Sequence, residues 1–126
     1  MEPVRHTFPK EERLCSRNDI SRLLAKGRFF EVQGGVLRFC RLSGTGSGLN
    51  RVMVSVPKKI FKRAVSRNRM KRRIREAWRL RKNEMTSLDH DILIIYICKR
   101  QVEFSAIFDS VGRMISKLSE DGSQKS

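Results

Sequence analysis

At its centre this chain reads Ala64-Val-Ser-Arg-Asn-Arg-Met-Lys-Arg-Arg-Ile-Arg-Glu76. Between Lys58 and Lys82 there are 13 Lys and Arg residues and one acidic residue, Glu76. The whole chain of 126 residues carries 28 basic and 13 acidic side chains, so most of its net charge of +15 lies in this block. Charge at this density repels itself in the free protein and is typical of a protein that binds a polyanion.

The periodicity of this block predicts an amphipathic helix from near Val65 to about Asn83. At about 100° per residue, one face holds Asn68, Arg72, Arg75 and Arg79, with Lys71 and Lys82 at its edge. The opposite face holds Met70, Ile74 and Ala77, with Trp78 at its flank. A disordered basic tail has no reason to keep an apolar stripe in register, so we expect a helix docked on a core that offers its polar face to a partner. A solvated charged face is the alternative, but such faces normally rely on i,i+4 pairs with acids, which are nearly absent here.

Length and composition limit the possible classes of protein. A chain of 126 residues with 39% hydrophobic residues is expected to form one domain with a modest core. No apolar run approaches the roughly 18–20 residues that span a bilayer, and the N-terminal residues lack the apolar centre of a secretory signal. We therefore expect a cytoplasmic protein without a membrane partner. The cysteines Cys15, Cys40 and Cys98 are far apart and odd in number, which indicates neither a zinc site nor a disulfide framework.

The rest of the chain predicts an α+β fold with the element order α-β-β-β-α-β-α. Residues 1–17 are expected to be irregular, and a short helix follows, capped by Asn18 or Asp19 and ended by Gly27. Strands are predicted at residues 29–32, 35–42, 51–57 and 89–98. Apolar residues at helical spacing predict a last helix over residues 104–118, followed by a polar tail at 119–126. We expect a single domain over residues 1–118, with a sheet of roughly four strands packed against helices.

No residues mark a catalytic site. His6 and His90 lie in predicted loops, and the acids Asp89 and Asp91 beside His90 suit a turn before a strand. The acids of the chain form no convergent set of the kind a metal-dependent nuclease needs. The glycine-rich segment 43–48 lacks the G-K-[ST] ending of a phosphate-binding loop and opens no helix. We expect a protein that binds rather than cuts, with no catalytic residue and no metal ligand of its own.

Two motifs resemble the bacterial ribonuclease P protein subunit. They are Ser55-Val-Pro-Lys-Lys-Ile60 and Ala64-Val-Ser-Arg-Asn-Arg-Met-Lys-Arg72, the latter followed by Arg75-Glu76-Ala77. The wider layout of elements agrees over about residues 8–118. The resemblance implies an RNA-binding subunit of the endoribonuclease that removes the 5′ leader from precursor tRNA. In that enzyme the RNA subunit is the catalyst, with Mg²⁺ bound mainly by that RNA. It also implies a left-handed β-α-β crossover, which no feature of the sequence indicates, because right-handed crossovers dominate.

The resemblance also assigns roles to individual residues. Contacts to the catalytic RNA are expected from Arg67, Asn68, Arg69, Lys71, Arg72 and Arg75, with Arg79 on the same face. Arg suits this role because its planar group makes several phosphate contacts. Lys58 and Lys59 match paired lysines that extend the basic surface toward the leader of precursor tRNA.

Contacts to the leader are expected from Ile20, Leu24, Phe39 and Ser55. Ile20 and Leu24 are aliphatic where the family often has aromatic residues, and Gly34-Gly35 stands where it tends to have another. Flat stacking on bases is therefore lost at these positions. We expect Phe29, Phe30 or Phe39 to compensate, with at least two of the three engaged in core packing.

Three other functions fit parts of the sequence. A ribosome-associated or other non-catalytic RNA-binding module would explain charge, size and fold equally well, and only the layout of the motifs tells against it. A DNA reader would place Asn68, Arg72 and Arg75 in a major groove, but no partner helix completes a helix-turn-helix, so DNA is not expected. A self-sufficient ribonuclease would need a His or Glu pair for acid–base chemistry. The expected partners are the catalytic RNA and precursor tRNA.

Overall fold

The computed structural model describes residues 10–32, 35–85 and 88–124. Three α-helices and four strands follow one another as α1 (Arg17–Lys26), β1 (Arg28–Glu31), β2 (Leu37–Ser43), β3 (Arg51–Ser55), α2 (Ala64–Arg81), β4 (His90–Tyr96) and α3 (Phe104–Gln124). Short 3₁₀ turns lie at Lys10–Glu12 and Lys82–Glu84. The predicted α+β class and element order are confirmed.

The four strands form one mixed sheet in the order β1-β2-β4-β3. β2 pairs antiparallel with both β1 and β4, whereas β3 pairs parallel with β4. A parallel pair needs a long crossover connection, and α2 lies within the connection between β3 and β4. The basic helix is therefore the crossover element of a β-α-β unit, as predicted. Its left-handedness stays an expectation from the resemblance.

One face of the sheet forms the larger core with α2 and α3. The side chains of α2 that are buried there are Met70, Ile74, Ala77 and Trp78. They pack with sheet residues such as Phe39 and Ile94 and with α3 residues such as Val111. Burying a large apolar side chain contributes roughly 1.5–3 kcal/mol. The predicted stripe on the basic helix is confirmed residue by residue, and it is what docks the helix.

The opposite face of the sheet carries a smaller cluster beneath α1. Leu23 of α1 is fully buried against Cys40 of β2 and Leu93 of β4. A Cβ atom added at Gly27 would lie 2.4 Å from the carbonyl oxygen of Leu23 and 2.7 Å from the Cys40 Sγ. Gly27 has φ −73°, so a glycine stands here because the helix end touches β2, and not because the backbone is left-handed.

An ion-pair network fixes the start of α1 to the sheet. Arg51 donates from Nε and Nη2 to the two carboxylate oxygens of Asp91, at 2.8 and 2.9 Å, and Asp91 is fully buried. The Nη1 of Arg51 donates to Asp19 on α1, at 2.9 Å. Bidentate pairs of this kind are strong and geometrically specific. The network sets how α1 lies across the sheet.

Several predicted boundaries are wrong in detail. The cap of α1 is Ser16, whose Oγ accepts a hydrogen bond from the backbone N–H of Asp19 at 3.4 Å. The side chain of Asp19 is instead held by Arg51. Helix α2 ends at Arg81 and passes into a 3₁₀ turn before Asn83.

The two ends of the predicted domain also differ from expectation. Helix α3 continues to Gln124, so the predicted polar tail from residue 119 is helical where it is described. The N-terminal segment predicted as irregular contains the turn at Lys10–Glu12 and a β-bridge between Arg13 and Val52. Residues 1–9, which include His6 and Phe8, lie outside the described residues, as do residues 125–126.

The glycine-rich loop after β2 folds around the carboxylate of Asp89. This carboxylate accepts hydrogen bonds from Thr45 Oγ1 at 2.8 Å and from the N–H groups of Gly46 and Gly48 at 3.1 Å each. These donors hold the pKa of Asp89 down to about 2. The N–H groups of Gly46 and Gly48, which a bound phosphate would need as donors, therefore donate to a carboxylate of the protein itself.

The interpretation of Asp89 as turn chemistry is confirmed, whereas that of Asp91 is wrong, because Asp91 is buried in β4 and paired with Arg51. The prediction that His90 lies in a loop is also wrong, since His90 begins β4 and is buried.

Replacing Ile74 with Asp is expected to destabilise the protein by about 4 kcal/mol or more, because it places a carboxylate beneath α2 where Ile74 is fully buried. Val65→Asp is the matched control, since Val65 is 67% exposed in the first turn of the same helix. An acid there favours the helix dipole. Urea unfolding followed by circular dichroism measures both. Equal stability of Ile74→Asp and wild type would mean that the faces of α2 are wrongly assigned.

Candidate nucleic-acid interface

The solvent face of α2 presents the predicted polar residues together. Those that are exposed are Asn68, Arg69, Arg72 and Arg75, and those that are partly buried are Lys71 and Arg79. Because the opposite stripe is packed in the core, these side chains project from a rigid support. The helix therefore offers a row of planar guanidinium groups along about three turns, a pattern suited to phosphates.

The electrostatics of α2 favour an anion. Its first turn contains no acidic residue, although the N-terminus of a helix carries a partial positive charge. The one acid of the helix, Glu76, accepts a hydrogen bond from Arg79 Nε at 3.0 Å, and this contact lowers the pKa of Glu76. Arg79 thus has a partner of its own within the helix. The remaining arginines keep the face strongly positive.

Two of the predicted RNA contacts also make contacts within the protein. Arg67 donates from Nη1 to the carbonyl oxygens of Phe61 at 2.8 Å and Lys62 at 2.9 Å. It therefore holds the loop that leads from β3 into α2. Arg69 donates to Gln101 Oε1 at 3.2 Å on the exposed side of the helix. Contact of either residue with RNA stays a prediction.

A groove lies on the sheet face that carries α1. Ser55 is paired with Ile95, and Ile95 is paired with Arg38, so these three side chains form one row across β3, β4 and β2. Next to this row is a cavity of about 590 Å³, lined by Arg38, Pro57, Lys59, Ile60, Ile95, Tyr96, Ile97 and Lys99. An apolar floor and three basic side chains at its edge characterise this groove.

The predicted leader contacts divide between the groove and the core. Leu24 is 49% exposed on α1, and Ser55 lies half-buried in the row described above. Ile20 packs against the small cluster beneath α1. The prediction for Phe39 is wrong, because Phe39 is fully buried in the larger core on the other side of the sheet.

The other two phenylalanines considered for stacking also separate. Phe30 stacks on Phe39 with ring centroids 5.4 Å apart and belongs to the core side. Phe29 faces the groove side, since its partner in β2 is Cys40, and it is 43% exposed. Two of the three rings are therefore in the core, as expected, and Phe29 is the ring that is left for a ligand.

Three groove residues were missed in the sequence: Arg38, Ile95 and Lys99. Alternation along β2 places Arg38 on the face opposite its neighbour Phe39, which is a readable signal. What the sequence does not indicate is that β4 lies between β2 and β3, and this arrangement brings Arg38 and Ser55 to the same row.

A second cavity lies between the basic face of α2 and β3. Arg13 and Arg75 both line a cavity of about 350 Å³ that also contacts Met53, a residue of β3 on the groove side of the sheet. Lys58 and Lys59 are both exposed after β3, and Lys59 reaches the groove. Basic side chains thus line both cavities.

The described ranges 10–32, 35–85 and 88–124 contain neither a metal-binding cluster nor a membrane-spanning helix. Their His, Cys, Asp and Glu side chains form no group of three or more that could hold a metal ion. None of the helices in these ranges is both long and apolar enough to span a membrane.

The basic helix, the groove and the α+β sheet define a scaffold suited to binding a polyanion. Comparisons with known proteins identify its family. The family model described as Ribonuclease P matches residues 8–119. The ribonuclease P protein component of Dictyoglomus thermophilum is 36% identical over 115 residues, which cover 90% of each chain. The chain therefore belongs to the ribonuclease P protein family.

Solved structures agree with this assignment. The RNase P protein of Staphylococcus aureus is 27% identical, with a TM-score of 0.66, and the match covers 86% of this chain and 94% of that one. The RNase P protein of Thermotoga maritima has a TM-score of 0.71 at 22% identity, covering 84% of this chain and 96% of that one. Because its sequence identity is low, the match to the Thermotoga maritima protein shows the shared fold alone.

Proposed function

We propose that this protein, as the RNA-binding protein subunit of ribonuclease P, binds the catalytic RNA through α2 and the 5′ leader of precursor tRNA through the groove beside α1. The observation that carries the proposal is the arginine face of α2, which is supported by a buried stripe. The groove on the other face of the sheet is also lined by basic side chains. The holoenzyme is an endoribonuclease of tRNA processing. In this proposal its RNA subunit cleaves, and the protein supplies binding.

The α2 face suits a folded RNA partner. Side chains do not reach into the deep, narrow major groove of A-form RNA, so proteins recognise such RNA through phosphates, 2′-hydroxyls and shape. Arg72 and Arg75 are exposed in adjacent turns of one rigid helix and can each give two donors to a phosphate. Binding of this kind releases counterions and depends steeply on salt.

The groove suits a single strand. Channels that bind single-stranded nucleic acid combine basic side chains, which follow the phosphates, with flat or apolar surfaces, which contact the bases. Here Lys59 and Lys99 lie at the edge of a floor that contains Ile95 and Ile97. Leu24 is a further exposed apolar side chain on α1, the helix that packs on the same face of the sheet. The groove therefore provides both kinds of contact that a leader needs.

The proposal also covers the Mg²⁺ ion and the cellular location of the protein. Mg²⁺ is assigned mainly to the RNA subunit, and no step is assigned to a metal held by the described residues of the protein, which offer no suitable ligand group. The proposed site of action is the cytoplasm, a reducing compartment that suits the free thiols of Cys15, Cys40 and Cys98. A ribosome-associated role has no observation in its favour, since the family match spans residues 8–119.

Replacing both Arg69 and Arg72 with Ala is expected to weaken binding to the cognate RNA subunit. The dependence of log K on log salt should become shallower by roughly one to two units, because each lost duplex phosphate contact contributes about 0.9. Filter binding between 50 and 400 mM KCl measures this slope. Arg113→Ala is the control, since it removes a positive charge from α3. A slope identical to that of wild type would show that Arg69 and Arg72 are not on phosphates.

Lys59→Ala is expected to lower the affinity of the holoenzyme for precursor tRNA with a leader of about ten nucleotides. Its affinity for precursor tRNA with a one-nucleotide leader should stay unchanged. Wild type should gain roughly tenfold in affinity from the longer leader, and the variant should lose several-fold of that gain. Fluorescence titration in Ca²⁺, which slows cleavage, measures both. Lys117→Ala on α3 is the control. A wild-type holoenzyme without any gain from the longer leader would contradict the groove proposal.

A further inference from the structure

We propose that Phe29 and Arg38 form a composite stacking platform for one unpaired base at the β1 end of the groove. The inference rests on the proposed function of the groove as the leader site, and it names two residues that contact a base there. Arg38 is not among the leader contacts expected from the resemblance, and Phe29 is one of the three rings that the sequence offers for stacking.

The position of Phe29 is unusual for a large apolar residue. It lies on β1 opposite Cys40, on the sheet face that α1 only partly covers, and 43% of its surface is exposed. β1 is an edge strand of the sheet, so the ring is open to solvent on the side away from β2. A strand residue of this kind is accessible without any movement of the fold.

Arg38 lies directly over that ring. Its guanidinium carbon is 4.9 Å from the centroid of Phe29, within the range of a cation–π contact. Arg38 is exposed and also lines the groove cavity with Lys59 and Lys99. Glu31 is its cross-strand neighbour on β1, yet within the described residues Arg38 forms no ion pair. The guanidinium is therefore held by the ring and has its hydrogen-bond donors available.

The chemistry of this pair points to a nucleotide. Unpaired bases stack on aromatic rings and on guanidinium planes, and the positive charge also attracts the adjoining phosphate. On α1, the residues expected to contact the leader, Ile20 and Leu24, are aliphatic and offer no flat π surface. Phe29 and Arg38 provide a flat surface at the edge of the sheet. Because every base has a π face, the platform should tolerate all four bases and favour the larger purines modestly.

The two side chains should act as a unit, because Phe29 keeps the guanidinium in place and Arg38 presents the surface to the base. Arg38→Lys keeps the positive charge and removes the plane, whereas Phe29→Leu keeps an apolar residue and removes the ring. Phe29→Tyr keeps the ring and serves as the conservative variant. None of these changes affects a buried residue, so normal folding is expected for each.

The test is a double-mutant cycle on holoenzyme assembled with its cognate RNA subunit. The probes are precursor tRNAs with leaders of one and of about ten nucleotides, and the readout is the ratio of the two affinities. We expect Phe29→Leu and Arg38→Lys each to reduce that ratio about fivefold to tenfold, and the double variant to reduce it no further than the stronger single change. Phe29→Tyr should retain the wild-type ratio. Replacing leader purines by uridines one position at a time should weaken wild type at one position and not the double variant.

Each contrary result has a definite meaning. Suppose that Arg38→Lys keeps the wild-type ratio of affinities for the long and short leaders while Arg38→Gln reduces it. The positive charge alone would then account for the effect, and the stacking platform would be wrong. Additive effects of the two changes would refute their action as a unit. A wild-type ratio retained in all variants would overturn the platform while leaving the groove proposal standing. No gain from the leader in wild type would overturn the groove proposal and the platform together.

Discussion

Burial of one stripe of α2 is the interaction on which the rest of the structure depends. Met70, Ile74, Ala77 and Trp78 hold the helix against the sheet, so the arginines that alternate with them are forced into solvent on one side. Like charges at this density oppose folding. The apolar contacts offset that repulsion, and an anionic partner removes it. The same helix is therefore the crossover of the fold and the main binding surface in the proposed function.

A second consequence is that the two faces of the sheet are covered unequally. α2 and α3 close one face, whereas α1 is a short helix that covers part of the other. The Arg51 network with Asp91 and Asp19 holds α1 at one end of that face. The row from Ser55 to Arg38 is left open beside it. The proposed leader site thus lies where the fold leaves its second sheet face uncovered.

Periodicity predicted the helix faces well and the strand faces poorly. In α2 a repeat of 3.6 residues and one dominant stripe leave only one way to dock, so the buried residues were identified from the sequence. In β2, alternation separates Arg38 from Phe39, but both faces of this sheet bury apolar residues, so the pattern does not say which residue faces the groove. Phe39 was misassigned for this reason. The pairing of β2 with β4, which depends on the whole fold, determines that Arg38 and not Phe39 faces the groove.

Cleavage of precursor tRNA by the cognate RNA subunit at low Mg²⁺, with and without this protein, is the most direct test of its role as a binding subunit of a ribozyme. We expect the protein to restore cleavage at the mature 5′ end and to cleave nothing by itself. Tight, salt-dependent RNA binding without any rescue would contradict this role. Cleavage by the protein alone would contradict the assignment of catalysis to the RNA.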